Sequence, residues 1–93
     1  MFRQSLSENE GMIFLFQDDS NKTFWTKDTY ISLDIIFLDS KFKIVSYYTN
    51  TLPNQTKVVY DSKFRSQFVI ETKNGFLNKN SLKVGDILDI RYQ

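Results

Sequence analysis

Short apolar runs of strand length, each cut off by polar or glycine-bearing punctuation, leave this chain little room to be anything but a β protein. Seven such runs are legible, at residues 12–16, 23–27, 33–39, 42–49, 57–60, 67–72 and 87–92. They are rich in Phe, Tyr, Ile, Val and Thr, which fit a pleated, half-buried surface. None keeps a 3.6-residue period long enough to make a helix of ordinary length. The run Met12-Ile13-Phe14-Leu15-Phe16 is continuous, as expected of a strand buried on both faces. Leu33-Asp34-Ile35-Ile36-Phe37-Leu38 reads as the best core strand, apolar on both faces except at Asp34. Ser40-Lys41 is a tight turn that joins it to the next run as a hairpin.

Between the runs, residues 18–22 read as a loop, Pro53 marks another, and Asn74-Gly75 and Val84-Gly85-Asp86 are turns, with Gly85 expected at positive φ. Single helical turns are expected near residues 5–10, where Ser5 and Ser7 precede Glu8 and Glu10 at capping-box spacing, and within 78–83. The predicted fold is mainly β: a small antiparallel β barrel or sandwich with one or two short helical turns, residues 1–93 forming a single domain.

Composition removes whole classes of chemistry. The chain has no cysteine and no histidine, so disulfides, thiolate-bound metals, Cys nucleophiles, Ser-His-Asp triads and histidine-bound iron are excluded. Any catalysis would fall to Asp, Glu, Lys, Tyr, Ser or Thr. Twelve basic and eleven acidic residues give a net charge of +1, which argues against collecting nucleic acid or anionic membrane by charge. No segment is apolar over the roughly 18–20 residues that span a bilayer, and residues 1–6 lack the apolar stretch of a signal peptide.

Three segments in order, Gly11-Met12-Ile13-Phe14-Leu15-Phe16, Phe24-Trp25-Thr26-Lys27-Asp28-Thr29 and Leu33-Asp34-Ile35-Ile36-Phe37-Leu38-Asp39, resemble the family known as domain of unknown function 192. The family's typical forms are Gly-Met-Leu-Phe-Val-Phe, Phe-Trp-Met-Lys-Asn-Thr and Pro-Leu-Asp-Ile-Ile-Phe. Tyr60-Asp61-Ser62, Asn74-Gly75 and Lys83-Val84-Gly85-Asp86 extend the likeness over almost the whole chain. Thr26 stands where the motif has Met, Asp28 where it has Asn, and Ser32 where it has Pro. The resemblance implies a compact, mostly β domain, relatives of bacterial and archaeal origin that often look exported, and no particular activity. It also implies a leading strand and helix ahead of residue 2, which are expected to be missing here. Their loss is expected to leave a sheet edge open to self-association or to a partner's strand.

Candidate site residues follow from strand alternation. Trp25 and Lys27 fall on one face of their run, with Phe24, Thr26 and Asp28 on the other. An indole beside an ammonium and a carboxylate can line a small polar pocket; alternatively Trp25 is core and the Lys27 stem lies across it. Asp34 is the sharpest residue, because a carboxylate inside an apolar run must find partners or change its protonation. Either it accepts backbone N–H groups at a strand entrance, with Arg3 or Lys27 as a counter-charge, or it serves as an acid or base. Asp28, Asp34, Asp39 and Asp86 have no spacing typical of a metal loop, so neither a metal nor another cofactor is expected.

The reading these observations favour is a non-enzymatic ligand- or protein-binding module, its site formed by Trp25, Lys27, Asp28, Asp34 and Arg3. A hydrolase or lyase using an Asp34/Lys27 acid–base pair is the alternative. A third reading is weak single-stranded nucleic-acid binding by Lys41-Phe42-Lys43, Tyr47-Tyr48 and Phe24-Trp25.

Overall fold

The structure, a computed structural model, describes residues 10–90. Strands β1 (Gly11–Ser20), β2 (Thr23–Phe24), β3 (Leu33–Leu38), β4 (Ile44–Tyr48), β5 (Tyr60–Asp61) and β6 (Ser66–Lys73) precede a single helical turn, α1 (Phe76–Lys79). A four-stranded sheet runs β1-β6-β3-β4 and a two-stranded sheet pairs β2 with β5. Every pairing is antiparallel. The larger sheet is not closed into a barrel; of the two expected forms, the sandwich is the one found.

β3 organises the packing. All six of its residues are buried, and its alternation feeds two cores. Leu33, Ile35 and Phe37 join Val69 and Tyr60 in one cluster, with Phe14, Phe16, Phe24 and Tyr48 packed against it. The smaller sheet covers this cluster: the Phe24 ring lies 6.1 Å from Phe37, and Tyr60 lies 5.1 Å from Tyr48. Ile36 and Leu38 face the other way, with Ile44 and Leu77. That second cluster is covered by α1 and by Leu82, Leu88 and Ile90 of the segment that follows. Each fully buried side chain of this size contributes about 1.5–3 kcal/mol.

The hairpin of β3 and β4 forms as the sequence predicts. Its turn is held by Asp39 Oδ1, which accepts the Lys41 N–H at 2.9 Å and the Lys43 N–H at 3.0 Å. Gly75 and Gly85 take positive φ, 100° and 97°.

Several predicted elements differ. β1 is buried on one face only: Met12, Phe14 and Phe16 point inward, while Ile13 and Leu15 are exposed. It also runs on to Ser20, through residues whose composition suggested a loop, because a bulge between Leu15 and Ser20 carries the pairing to Ser66. Lys22 fixes the corner after it. Its ammonium, only 7% exposed as a residue, donates to the Asp18 and Ser20 carbonyls and to Ser20 Oγ, and lies 4.9 Å from the Phe16 ring centre.

β2 stops at Phe24 because the chain turns at once: the Thr29 N–H bonds to the Thr26 carbonyl and Asp28 takes φ 60°. β5 begins at Tyr60, the last residue of its predicted run. The helical turn falls two residues earlier than predicted. Residues 87–90 make no strand; Ile87 contributes an isolated bridge to Lys43, and the segment lays Leu88 and Ile90 over the second cluster instead of extending the sheet. The turn predicted near residues 5–10, the partner role of Arg3 and the proposed open edge at the N-terminus lie outside the described residues.

Candidate functional site

Asp34 is fully buried, 0% exposed. Alternation places it on the α1 face of β3, with Ile36 and Leu38, and opposite Thr72 of β6. Its Oδ2 accepts the Leu77 N–H at 2.9 Å. That amide lies in the first turn of α1, where no intrahelical acceptor exists. No side chain caps this helix from its own N-cap position, which is Gly75. Asp34 therefore does from the neighbouring strand what an N-cap residue usually does locally, and it ties α1 to the centre of the sheet.

Its other oxygen, Oδ1, is buried with no hydrogen-bond partner among the described residues, and so is Thr72 Oγ1 across the pair. Two unsatisfied oxygens side by side on one sheet face are uncommon, because each costs about 1–3 kcal/mol unless a partner arrives. Asp34 also forms part of the wall of a cleft of about 460 Å³ that opens between β4 and α1. Tyr47 and Thr49 line it from the β4 side, Asn74 and Gly75 from the turn before α1, and Leu77, Asn78 and Leu82 from α1 and beyond. Asn74 is itself fixed, exchanging hydrogen bonds with the Asn50 backbone and side chain.

The other residues singled out in the sequence lie elsewhere. Phe24 packs into the first cluster, on the opposite face of the large sheet from Asp34. Trp25 is 52% exposed and lines a separate depression of about 330 Å³ with Thr23, Phe24 and Val59. It is not core. Lys27 does lie across it, its ammonium 5.6 Å from the ring. Asp28 sits in the turn after β2, where its N–H donates to Asn54 Oδ1 and its carboxylate accepts the Tyr30 hydroxyl at 3.5 Å. The structure thus groups Trp25 with Lys27, places Asp28 in the adjoining turn, and leaves Asp34 in a different cleft.

Asp39 and Asp86 cap separate turns. Among the described residues no group of three His, Cys, Asp or Glu side chains converges on a metal position. The aromatic–basic stretch is likewise divided. Phe42 stacks on Phe68 at 4.6 Å, Tyr48 packs inward, and Tyr47 faces the Asp34 cleft.

Sequence reasoning missed Glu71. It is 3% exposed, on the face of β6 opposite to Thr72, paired with Ile35 and Met12. Burial pushes its carboxyl up to about 7, and Oε1 has no hydrogen-bond partner among the described residues. The signal available was its place in Phe68-Val69-Ile70-Glu71, an acid ending an apolar run much as Asp34 begins one.

Fold and cleft define a small, open antiparallel β sandwich in which one helical turn is pinned over the sheet by a buried aspartate. The chain belongs to the DUF192 family, described as Uncharacterized ACR, whose family model matches residues 1–90. Two solved structures are similar. One is a candidate transcription regulator from Sinorhizobium meliloti 1021, 28% identical with a TM-score of 0.90, covering 96% of this chain and 68% of its own. Another is a protein of unknown function from Novosphingobium aromaticivorans DSM 12444, 31% identical with a TM-score of 0.90, covering 97% of this chain and 64% of its own. The chain thus spans about two thirds of each. No curated protein matches it.

Proposed function

We propose that this domain is a non-enzymatic module that binds a small polar ligand in the cleft beneath α1, with Asp34 as the anchoring acceptor. One observation carries the reading: a fully buried carboxylate keeps one oxygen without a partner among the described residues, at the wall of a cleft of about 460 Å³. That volume falls within the usual range for small-molecule sites, and a few polar groups set among apolar ones is their usual lining. The second oxygen is already committed to Leu77, so the acceptor is held rigid before a ligand arrives.

An acid–base pair of Asp34 with Lys27 is not favoured, because Asp34 lies on the α1 face and the Trp25–Lys27 pair flanks the smaller sheet. Binding of single-stranded nucleic acid needs aromatic faces along one groove, and here they are split between two cores and two surfaces.

The test is a two-dimensional amide NMR titration with glycerol, acetamide and ethylammonium chloride as probes. Shifts centred on Leu77, Asn78, Tyr47 and Thr49 that vanish in Asp34→Asn support the reading. Shifts centred on Trp25 and Lys27, or none with any probe, reject it.

A further inference from the structure

Resting on the reading just given, we infer that the ligand of the Asp34 cleft is a small, neutral, polyhydroxylated compound of the monosaccharide or cyclitol type. Three features of the lining lead there.

The first is charge. Among the described residues, Asp34 is the only carboxylic acid in the wall, and no lysine or arginine lines this cleft. A phosphate, a sugar acid or any other anion would meet a carboxylate in the wall, because the ammonium groups that flank residues 74–78 along the chain, Lys73 and Lys79, line the adjoining depression and not this cleft. A ligand that donates hydrogen bonds to Asp34 is required, and an anion is disfavoured.

The second is the mixture of donors and acceptors. Tyr47 and Thr49 each bring a hydroxyl, and Asn78 brings an amide that both donates and accepts. Among the described residues none of these three side chains is hydrogen-bonded to another, and Tyr47 and Asn78 are exposed. An alkylammonium group offers donors only; it would answer Asp34 Oδ1 but leave the asparagine N–H₂ without an acceptor. Adjacent hydroxyls on a ring donate and accept at once, which matches every polar group present.

The third is the apolar part. The Tyr47 ring on one side, with Leu77 and Leu82 on the other, supplies surfaces for the C–H faces of a saturated ring. Thr72 adds a buried hydroxyl without a partner, at the register position opposite Asp34. A hydroxyl or a water held between ligand and sheet would satisfy it.

The experiment titrates the full chain with D-glucose, D-galactose and myo-inositol in one arm and ethylammonium chloride in the other, reading the Leu77, Asn78, Tyr47 and Thr49 amides. Binding of at least one polyol, weakened about tenfold or more in Asp34→Asn and reduced in Tyr47→Ala, is the expected result. Asp34→Asn keeps an oxygen for the Leu77 N–H, so an unchanged Leu77 amide environment in the free variant certifies that α1 is still seated. If ethylammonium alone binds at these amides, the polyol assignment is overturned while the cleft stands as a ligand site. If neither arm moves them, the site itself is overturned and the ligand class falls with it.

Discussion

At the scale of single residues, two buried acids divide the polar work. Asp34 is anchored, and its replacements should separate its tasks. Asp34→Ala leaves the Leu77 N–H buried without an acceptor and should destabilise the domain by about 1–3 kcal/mol in urea unfolding, whereas Asp34→Asn, retaining an oxygen there, should cost less. Glu71 keeps one oxygen, Oε1, without a hydrogen-bond partner among the described residues. Its carboxyl is raised from 4.5 to about 7 by burial, so between those values the native protein holds a proton that the unfolded chain releases. The contribution of Glu71 to stability is then fullest below about pH 4.5 and is lost as the pH rises through 7, a change of about 3 kcal/mol. Melting temperatures across pH 4.5–8 should decline in the parent chain and stay flat in Glu71→Gln. Thr26, where the family motif has Met, donates to the Leu52 carbonyl at 2.6 Å and accepts the Gln55 N–H at 2.9 Å. Thr26→Val should therefore cost about 1–3 kcal/mol despite its similar shape, read again by urea unfolding. The sequence marked Asp34 because a charge interrupts an apolar run. It could not mark Thr26, whose partners come from a loop 26 and 29 residues away.

At the scale of elements, α1 is a single turn that cannot hold itself together, since so short a helix has almost no internal bonding. It persists because Leu77 is buried in the second cluster, Asp34 caps it from β3, and Gly75 enters it at φ 100°. A side chain at Gly75 would meet nothing within 4 Å, so the cost of Gly75→Ala is backbone strain alone. We expect a loss of about 1–2 kcal/mol, with faster hydrogen exchange at the Leu77 amide than at amides of β3. Strands with strong alternation, β3 and β4 above all, were legible. Elements set by distant partners were not: β1 reaches Ser20 only because β6 lies beside it, and residues 87–90 become a cover rather than a strand because the edge at Lys43 accepts a single bridge.

At the scale of the whole molecule, the two cores share one wall. Phe37, 0% exposed, touches Phe24 of the smaller sheet and Tyr48 of β4, while Ile36 beside it faces α1. Phe37→Ala should cost about 3–5 kcal/mol, a large part of the stability of a domain this size. Loss of signal should be simultaneous for Trp25 fluorescence and far-ultraviolet circular dichroism, since β3 supplies residues to both clusters and the smaller sheet packs only against the large one. The class of fold was legible from the spacing of runs and turns. Which side chains share a cleft was not, because Trp25 and Asp34 are near in sequence yet are separated by the thickness of the central sheet.

The lone carboxylate of β3 also fixes alignment. Sliding this strand by one position against its neighbours would thrust a charge among the rings of Phe24, Tyr48 and Tyr60 and strip the helical turn of its acceptor. An otherwise uniform hydrocarbon strand thereby carries its own index mark, and misaligned pairings are penalised at the one residue that the correct pairing rewards.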